Sequence, residues 1–302
     1  MKSAVVTGAN GFIGRALTKE LLQQGVRVLA VTRIHNDTEE SPNLIPVTLD
    51  LAELSRLPEL TEERWDVFYH LAWSGTSGEG RKDVNRQLFN VEATVEAVQV
   101  AKLLGCSRFI GAGSIMEQEM LAASAEPQIR PGKGYIYSAA KLAAHQMSRC
   151  AAAELEIEHI WAVITNVYGE GEYSPRLLNS TLRKIIRDEE LNFTAATQNY
   201  DFLHIDDAVR AMRLLGERGV PFSAYTIGSG KVRPLRDFIQ ELCLTVAPHK
   251  TPVFGKVSFE GGSLSANAFD TTPLHTDTGF IPEISFREGV ERTMKWIQES
   301  ME

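Results

Sequence analysis

The sequence predicts an α/β fold, a doubly wound parallel sheet with a smaller, interleaved C-terminal lobe. Short apolar runs of strand length recur at 4–7, 26–32, 45–49, 67–71, 108–112 and 157–164. Long amphipathic stretches lie between several of them, notably 84–104 and 135–153. Strand-to-helix alternation of this kind builds parallel sheets covered on both faces. From about residue 167 the rhythm breaks into segments rich in glycine, proline and serine at 168–175, 228–234 and 253–264. The first unit is therefore expected to span 1–166, with a return to the sheet at about 200–228, and 167–302 to form most of the smaller lobe.

The first strand enters the turn Thr7-Gly8-Ala9-Asn10-Gly11-Phe12-Ile13-Gly14, and the amphipathic segment 15–24 reads as a helix. Strand, glycine turn and helix in that order make a phosphate cradle. Glycines let the backbone turn sharply and approach a pyrophosphate, while the helix N-terminus offers free N–H groups and partial positive charge. Residues 1–166 are thus expected to form a Rossmann-type dinucleotide-binding domain. The second strand ends in Thr32-Arg33, and Arg33 lies 19 residues after Gly14. NAD-binding folds place an acid near there to hold the ribose hydroxyls, whereas an arginine suits the 2′-phosphate of NADP. NADP is favoured; NAD stays possible, with Asp37 available as the acid.

The spacing Gly8-x-x-Gly11-x-x-Gly14 resembles the extended branch of the short-chain dehydrogenase/reductase superfamily, the sugar-nucleotide epimerases, dehydratases and reductases. Further segments carry the resemblance in the same order. Asp50-Leu51 resembles the family's adenine-edge contact, and His70-Leu71-Ala72-Trp73 its cofactor-lining His-x-Ala-Ala, with tryptophan in the last position. Asn90-Val91-Glu92-Ala93-Thr94 resembles its Asn-Val-x-Gly-Thr helix. The resemblance implies cofactor contacts at Gly8, Asn10, Gly11, Phe12, Ile13, Gly14, Arg33, Asp50, Leu51, Leu71, Ala72, Trp73, Asn90 and Lys141.

Tyr137 and Lys141 stand four residues apart, on one face of the helix expected over 135–153. A free phenol has a pKa of about 10 and must shift towards neutrality to exchange protons efficiently. An ammonium group and an oxidised nicotinamide nearby both favour the phenolate, so Lys141 is expected to lower the Tyr137 pKa. Tyr135 has no lysine at the matching spacing. About 130 residues after the glycine turn, Tyr137-Ser138-Ala139-Ala140-Lys141 resembles the family's active-site motif. Ser114 ends Phe109-Ile110-Gly111-Ala112-Gly113-Ser114, where small residues let the backbone pass close to a nicotinamide. The resemblance assigns Tyr137 as acid/base, Ser114 as substrate-polarising donor, and Lys141 as pKa modulator and ribose ligand, with the cofactor carrying the hydride. Relatives that perform 4,6-dehydration have Asp-Glu directly after this serine. Here Ile115-Met116 follow and Glu117 comes one position late, which argues against dehydration.

Ile164-Thr165-Asn166-Val167-Tyr168-Gly169 resembles the family's Asn-Val-Tyr-Gly segment, making Asn166 a candidate substrate ligand. Two departures matter: Val163 and Tyr200 stand where the family commonly has arginines. A substrate diphosphate then needs other cations. Arg176, Arg183, Arg233 and Arg236 lie in the expected lobe, and Arg176, in a loop beside Pro175, is favoured. Ser74, in the glycine- and serine-rich loop 73–78, is a further candidate contact. The expected function is NADPH-dependent reduction of a nucleotide-linked 4-keto-6-deoxyhexose. The alternatives are a sugar-nucleotide C4 epimerase using the same three residues, and a non-catalytic NADP-binding sensor, which would need neither Tyr137 nor Lys141.

Net charge is −8 with no block of lysine or arginine, so nucleic acid is not an expected partner. The cysteines, Cys106, Cys150 and Cys243, are three in number and widely spaced, which argues against a disulfide framework or zinc site. The seven histidines show no metal-ligand spacing, so no metal is expected. No run of roughly 18 apolar residues appears and the first strand starts at once, which points to the cytoplasm. The helices 84–104 and 135–153 are suited to pack a homodimer, and Ser285-Phe286-Arg287-Glu288 opens a final helix to about residue 299.

Overall fold

The computed structural model describes residues 1–34, 41–126, 128–258 and 262–301. Its strands are β1 (Ser3–Thr7), β2 (Arg27–Thr32), β3 (Leu44–Thr48), β4 (Val67–His70), β5 (Arg108–Ser114), β6 (Glu158–Ile164), β7 (Asn166–Tyr168), β8 (Asn199–Tyr200), β9 (Phe202–His204), β10 (Ala224–Ile227) and β11 (Arg233–Pro234). Its helices are α1 (Phe12–Gln23), α2 (Val84–Leu103), α3 (Met116–Ala125), α4 (Ile136–Glu154), α5 (Leu177–Ile186), α6 (Ile205–Arg218), α7 (Leu235–Val246), α8 (Thr272–Thr278) and α9 (Phe286–Glu299).

Seven strands pair in parallel in the order β10-β6-β5-β4-β1-β2-β3. The order reverses between β1 and β4, and doubly wound sheets bind ligands in the crevice that opens there, beyond the strand carboxyl ends. The alternation of β1 shows how both faces are covered. Ala4 and Val6 join a core with Leu17 and Leu21 of α1 and Met212 and Leu215 of α6. Val5 points to the opposite core, with Phe68, Val98 and Ala101 of α2, and Ala152 of α4. Leu17, Leu21 and Val5 have no exposed surface. Each such side chain contributes about 1.5–3 kcal/mol of burial.

A separate core lies outside the sheet, built from Leu178 and Leu182 of α5, Phe238 and Leu242 of α7, and Val290 and Ile297 of α9. The pairs β7–β9 and β8–β11 lie outside the seven-stranded sheet, while α6 and β10 return to it. The C-terminal region is not all lobe: Leu274 of α8 packs into the sheet core with α1 and α6. Ser285 accepts a hydrogen bond from the Glu288 amide at 3.2 Å and caps α9, as the capping-box pattern requires. Two local differences from the sequence reading bear on the site. β5 runs on to Ser114, whose partner in β6 is Ile164, and α3 starts two residues later. Asp37 lies outside the described residues.

Candidate active site

The glycine turn sits at the reversal of strand order. Gly8 has φ +70°, and a Cβ there would come within 2.9 Å of the Ala72 amide nitrogen, just after β4. A Cβ on Gly14 would lie 2.1 Å from the Gly8 carbonyl oxygen, so only glycine lets α1 pack on its own entry turn. Gly11 is the N-cap of α1, and Phe12 and Ile13 open the helix with no side chain capping it among the described residues. Its first N–H groups are thus presented to the crevice, the arrangement that binds a pyrophosphate. Asn10 Nδ2 donates to the Ile34 carbonyl at 2.9 Å and ties the turn to the segment after β2, where Arg33 is exposed. Thr7 and His70 join β1 to β4: Thr7 Oγ1 accepts from the Ala72 amide at 3.3 Å and lies 3.0 Å from His70 Nδ1. Burial holds the His70 imidazole neutral, its pKa pushed down to about 3. Leu71 and Ala72 continue from this anchored strand end. Asp50, expected at the adenine edge, is exposed and caps the 3-10 turn Leu51–Leu60 by accepting from the Ala52 amide at 3.0 Å. The residues present therefore fit a dinucleotide.

Ser114, Tyr137 and Lys141 converge at the end of β5 and the first turns of α4. All three are buried, and the Ser114 side chain favours the ionised form of the Tyr137 phenol. Lys141 Nζ donates to the Ala112 carbonyl at 2.7 Å and lies 3.5 Å from the Trp73 ring centre. Trp73 meets Tyr137 edge-on at 6.1 Å. Burial raises the Tyr137 pKa, and Arg81, Ser114 and Arg176 pull against it. The expected lowering by Lys141 is therefore not the state of this site. The physical reason is that desolvation outweighs the charges present, and Lys141 is itself desolvated, its pKa brought down to about 7.

The segment between β4 and α2 is a strap over Tyr137. Gly75 has φ +74°, and a Cβ on it would meet the Gly80 carbonyl oxygen at 2.7 Å, so the strap crosses itself. The buried Gln87 side chain donates to the Gly75 and Gly80 carbonyls at 3.0 and 2.9 Å and accepts from Trp73 Nε1 at 2.9 Å. Asn90 accepts from the Ser74 amide and donates to the Ser74 carbonyl, each at 2.8 Å. Both polar groups of Asn90 are thus engaged in holding the strap, a different task from the expected cofactor contact. At its end, in the 3-10 turn Gly78–Lys82, Arg81 places its guanidinium carbon 4.3 Å from the Tyr137 ring centre. Sequence reasoning missed Arg81, because a lone arginine in a glycine-rich loop carries no periodic signal.

Glu117 was also undervalued. It lies in the first turn of α3 and is buried. Its carboxylate accepts from the Ser114 amide at 2.8 Å and from Trp161 Nε1 at 3.0 Å, and faces His145 Nδ1 at 3.2 Å. Gly113 leaves room for this, since a Cβ there would come 2.7 Å from Glu117 Oε1. Ile115 is buried in apolar company.

On the substrate side, Asn166 opens β7 and its Nδ2 donates to the Asp201 carbonyl at 3.2 Å. Arg176 is the N-cap of α5 and lies 3.6 Å from Glu172, and its charge is felt at Tyr137. Arg183 donates to Asn179 at 3.1 Å, Arg233 pairs with Glu241, and Arg236 stacks on Phe254 at 4.5 Å. Among these arginines, Arg176 is thus the one that acts on the Tyr137 phenol. Among the described residues no group of three histidine, cysteine, aspartate or glutamate side chains is placed to hold a metal. No helix among them is long and apolar enough to cross a membrane.

A dinucleotide cradle beside a buried serine, tyrosine and lysine defines the class: an enzyme of the short-chain dehydrogenase/reductase type. The model of the NAD dependent epimerase/dehydratase family matches residues 4–228, and the chain belongs to that family. The CDP-abequose synthase of Salmonella muenchen is 20% identical over 296 residues, 97% of each chain. The dTDP-4-dehydro-6-deoxyglucose reductase of Escherichia coli is 24% identical over 315 residues, again 97% of each. In fold, the chain is similar to the Bacillus cereus UDP-glucuronic acid 4-epimerase solved with UDP-glucuronic acid and NAD, with TM-score 0.80, 21% identity and 99% of each chain covered.

Proposed function

We propose that this enzyme reduces the 4-keto group of a nucleotide-linked 4-keto-6-deoxyhexose to an alcohol, with NADPH as the favoured reductant. The observation that carries this reading is the buried Ser114–Tyr137–Lys141 group followed by Ile115 and Met116, with Glu117 occupied by Ser114, Trp161 and His145. Proton transfer to a ketone oxygen is available there and acid-pair dehydration is not. The dTDP-4-dehydro-6-deoxyglucose reductase among the relatives supports the same reaction type.

The glycine turn and the α1 N-terminus would hold the pyrophosphate, Arg33 the 2′-phosphate, and Lys141 the nicotinamide ribose. When bound, the reduced dinucleotide supplies hydride. Tyr137 gives its proton to the developing alkoxide, and Ser114 donates a hydrogen bond to the same oxygen, so that charge is never left unbalanced in a desolvated site. Arg176, Asn166 and Ser74 are the proposed contacts to the nucleotide-sugar. A homodimer through α2 and α4, which pack side by side, belongs to the same reading and is checked by light scattering.

The second reading, a C4 epimerase using the same residues in both hydride directions, draws support from the UDP-glucose 4-epimerase of Mycolicibacterium smegmatis, 24% identical over 97% of this chain and 98% of that one. A panel of nucleotide-sugars and their 4-keto-6-deoxy derivatives, each with and without NADPH, separates the two. The proposal expects product only from keto-sugars and only with reductant. Interconversion of C4 epimers without added cofactor would favour the second reading.

A further inference from the structure

We propose that Arg81 is the electrostatic partner of Tyr137: its fixed positive charge, laid on the phenol ring by the strap, is what makes this tyrosine a stronger proton donor. The family resemblance gives that task to Lys141, but the geometry distributes it differently. Lys141 Nζ is drawn to the Ala112 carbonyl at 2.7 Å and to the face of Trp73 at 3.5 Å. Being buried, it holds its own proton only weakly near neutral pH. A guanidinium cannot be deprotonated in a protein, so Arg81 keeps its charge at every working pH.

Three observations make Arg81 more than a passing surface charge. Its guanidinium carbon is 4.3 Å from the Tyr137 ring centre, close enough for a cation to favour phenolate over phenol strongly in a partly desolvated site. It forms no hydrogen bond or ion pair with the described residues, whereas Arg86, Arg176 and Arg233 in the surrounding segments are paired with Asp83, Glu172 and Glu241. The strap that carries it is pinned by Gln87 and Asn90, so the charge is held in place before any ligand arrives.

Tyr137 is faced from each element packed around it by a defined group. Ser114 at the end of β5 favours its ionisation, Glu117 of α3 opposes it, and Arg176 before α5 favours it. Lys141 lies one turn along its own helix. Arg81 is the largest favourable influence among them. Tyr200 and Glu119 feel Arg81 as well, and burial raises the Glu119 carboxyl while Arg81 pulls against it. In the reductive direction Tyr137 must start protonated and give the proton up, and a neighbouring cation speeds that release.

The catalytic consequence rests on the reading of Tyr137 as proton donor, but the coupling between the two side chains does not, and the test separates them. The protein is labelled with 13Cζ-tyrosine, the Tyr137 resonance is assigned from its loss in Tyr137→Phe, and its pH titration is followed with and without oxidised dinucleotide. We expect Arg81→Gln to raise the Tyr137 midpoint by about one pH unit, a tenfold gain in proton affinity, and Arg81→Lys to restore most of the shift. An unchanged midpoint in Arg81→Gln overturns the proposal, whatever the activity does. In steady-state reduction, the same variant should lower kcat and move the alkaline fall in rate upwards by a similar amount, with little change in KM for the sugar. A raised KM with an unmoved pH profile and midpoint would instead make Arg81 a substrate ligand and overturn the coupling. A moved midpoint with an unmoved profile would support the coupling and count against Tyr137 as the donor.

Discussion

Tyr137 and Lys141 show how one microenvironment sets two opposite tasks. Burial disfavours the charged form of each, raising the phenol and lowering the ammonium to about 7. Replacing Tyr137 with phenylalanine removes the proposed proton donor while leaving the ring that Trp73 and Arg81 pack against. We expect kcat to fall by about 10²- to 10⁴-fold with nearly unchanged thermal stability, since that is the usual size of a general-acid contribution. Lys141 makes a prediction about pH. Its folded pKa lies below the unfolded value near 10.4, so folding releases a proton between about pH 7 and 10.4, and this group opposes folding most at and below the lower limit. In the cofactor-free protein, the Tm of wild type relative to Lys141→Met should therefore rise as pH increases from 7 to 10. A difference that stays flat across that window contradicts the burial argument. Arg33 tests cofactor choice: Arg33→Ser should weaken NADPH use at least tenfold and leave NADH nearly unaffected, read as the ratio of kcat/KM values. Equal losses with both would remove the arginine from 2′-phosphate recognition.

At the scale of elements, the turn before α1 and the strap before α2 both rely on close backbone approach, and differ in how visible they are in sequence. Gly8, Gly11 and Gly14 could be read from the chain because a strand, a turn and a helix surround them at fixed spacing. Ser114, Tyr137 and Lys141 were legible for a similar reason, each lying at a strand end or on a helical repeat. The strap was not. Gly75 read only as part of the glycine- and serine-rich loop 73–78, yet Gln87 and Asn90 order the strap, and both act from the buried face of a helix whose polar residues look like surface or ligand positions. Glu117 was weighed for chemistry and found one position late, but its role is to hold the Ser114 amide, which depends on Gly113 leaving room and on Trp161 arriving from β6. Long-range partners of that kind leave no local pattern. A Cβ at position 14 would collide with the Gly8 carbonyl, so Gly14→Ala should lower dinucleotide affinity by more than tenfold, measured by nucleotide titration calorimetry. Wild-type affinity in that variant would mean that the turn does not form the cradle.

For the whole molecule, the reversal of strand order between β1 and β4 brings the glycine turn, the end of β4 with its strap, and the end of β5 to one crevice, while β7 and α5 contribute Asn166 and Arg176 from the side of the separate C-terminal core. Strand periodicity was enough to predict that sheet, because continuous burial along β1 and β4 follows from helices on both faces. It was not enough to divide the C-terminal region, where α8 packs against the sheet side although it lies between α7 and α9 of the separate core in sequence. On the proposed reading, reductase and epimerase chemistry would use the same crevice and the same three side chains, and differ in whether the hydride leaves the cofactor for good. The most direct measurement is therefore a single-turnover reaction of a nucleotide-linked 4-keto-6-deoxyhexose with [4-²H]NADPH of each face, analysed by mass spectrometry and NMR. The account predicts one cofactor oxidised per sugar and deuterium at C4 of the alcohol from one face only. C4 epimers formed without net cofactor oxidation, or a sugar product without deuterium at C4, would contradict it.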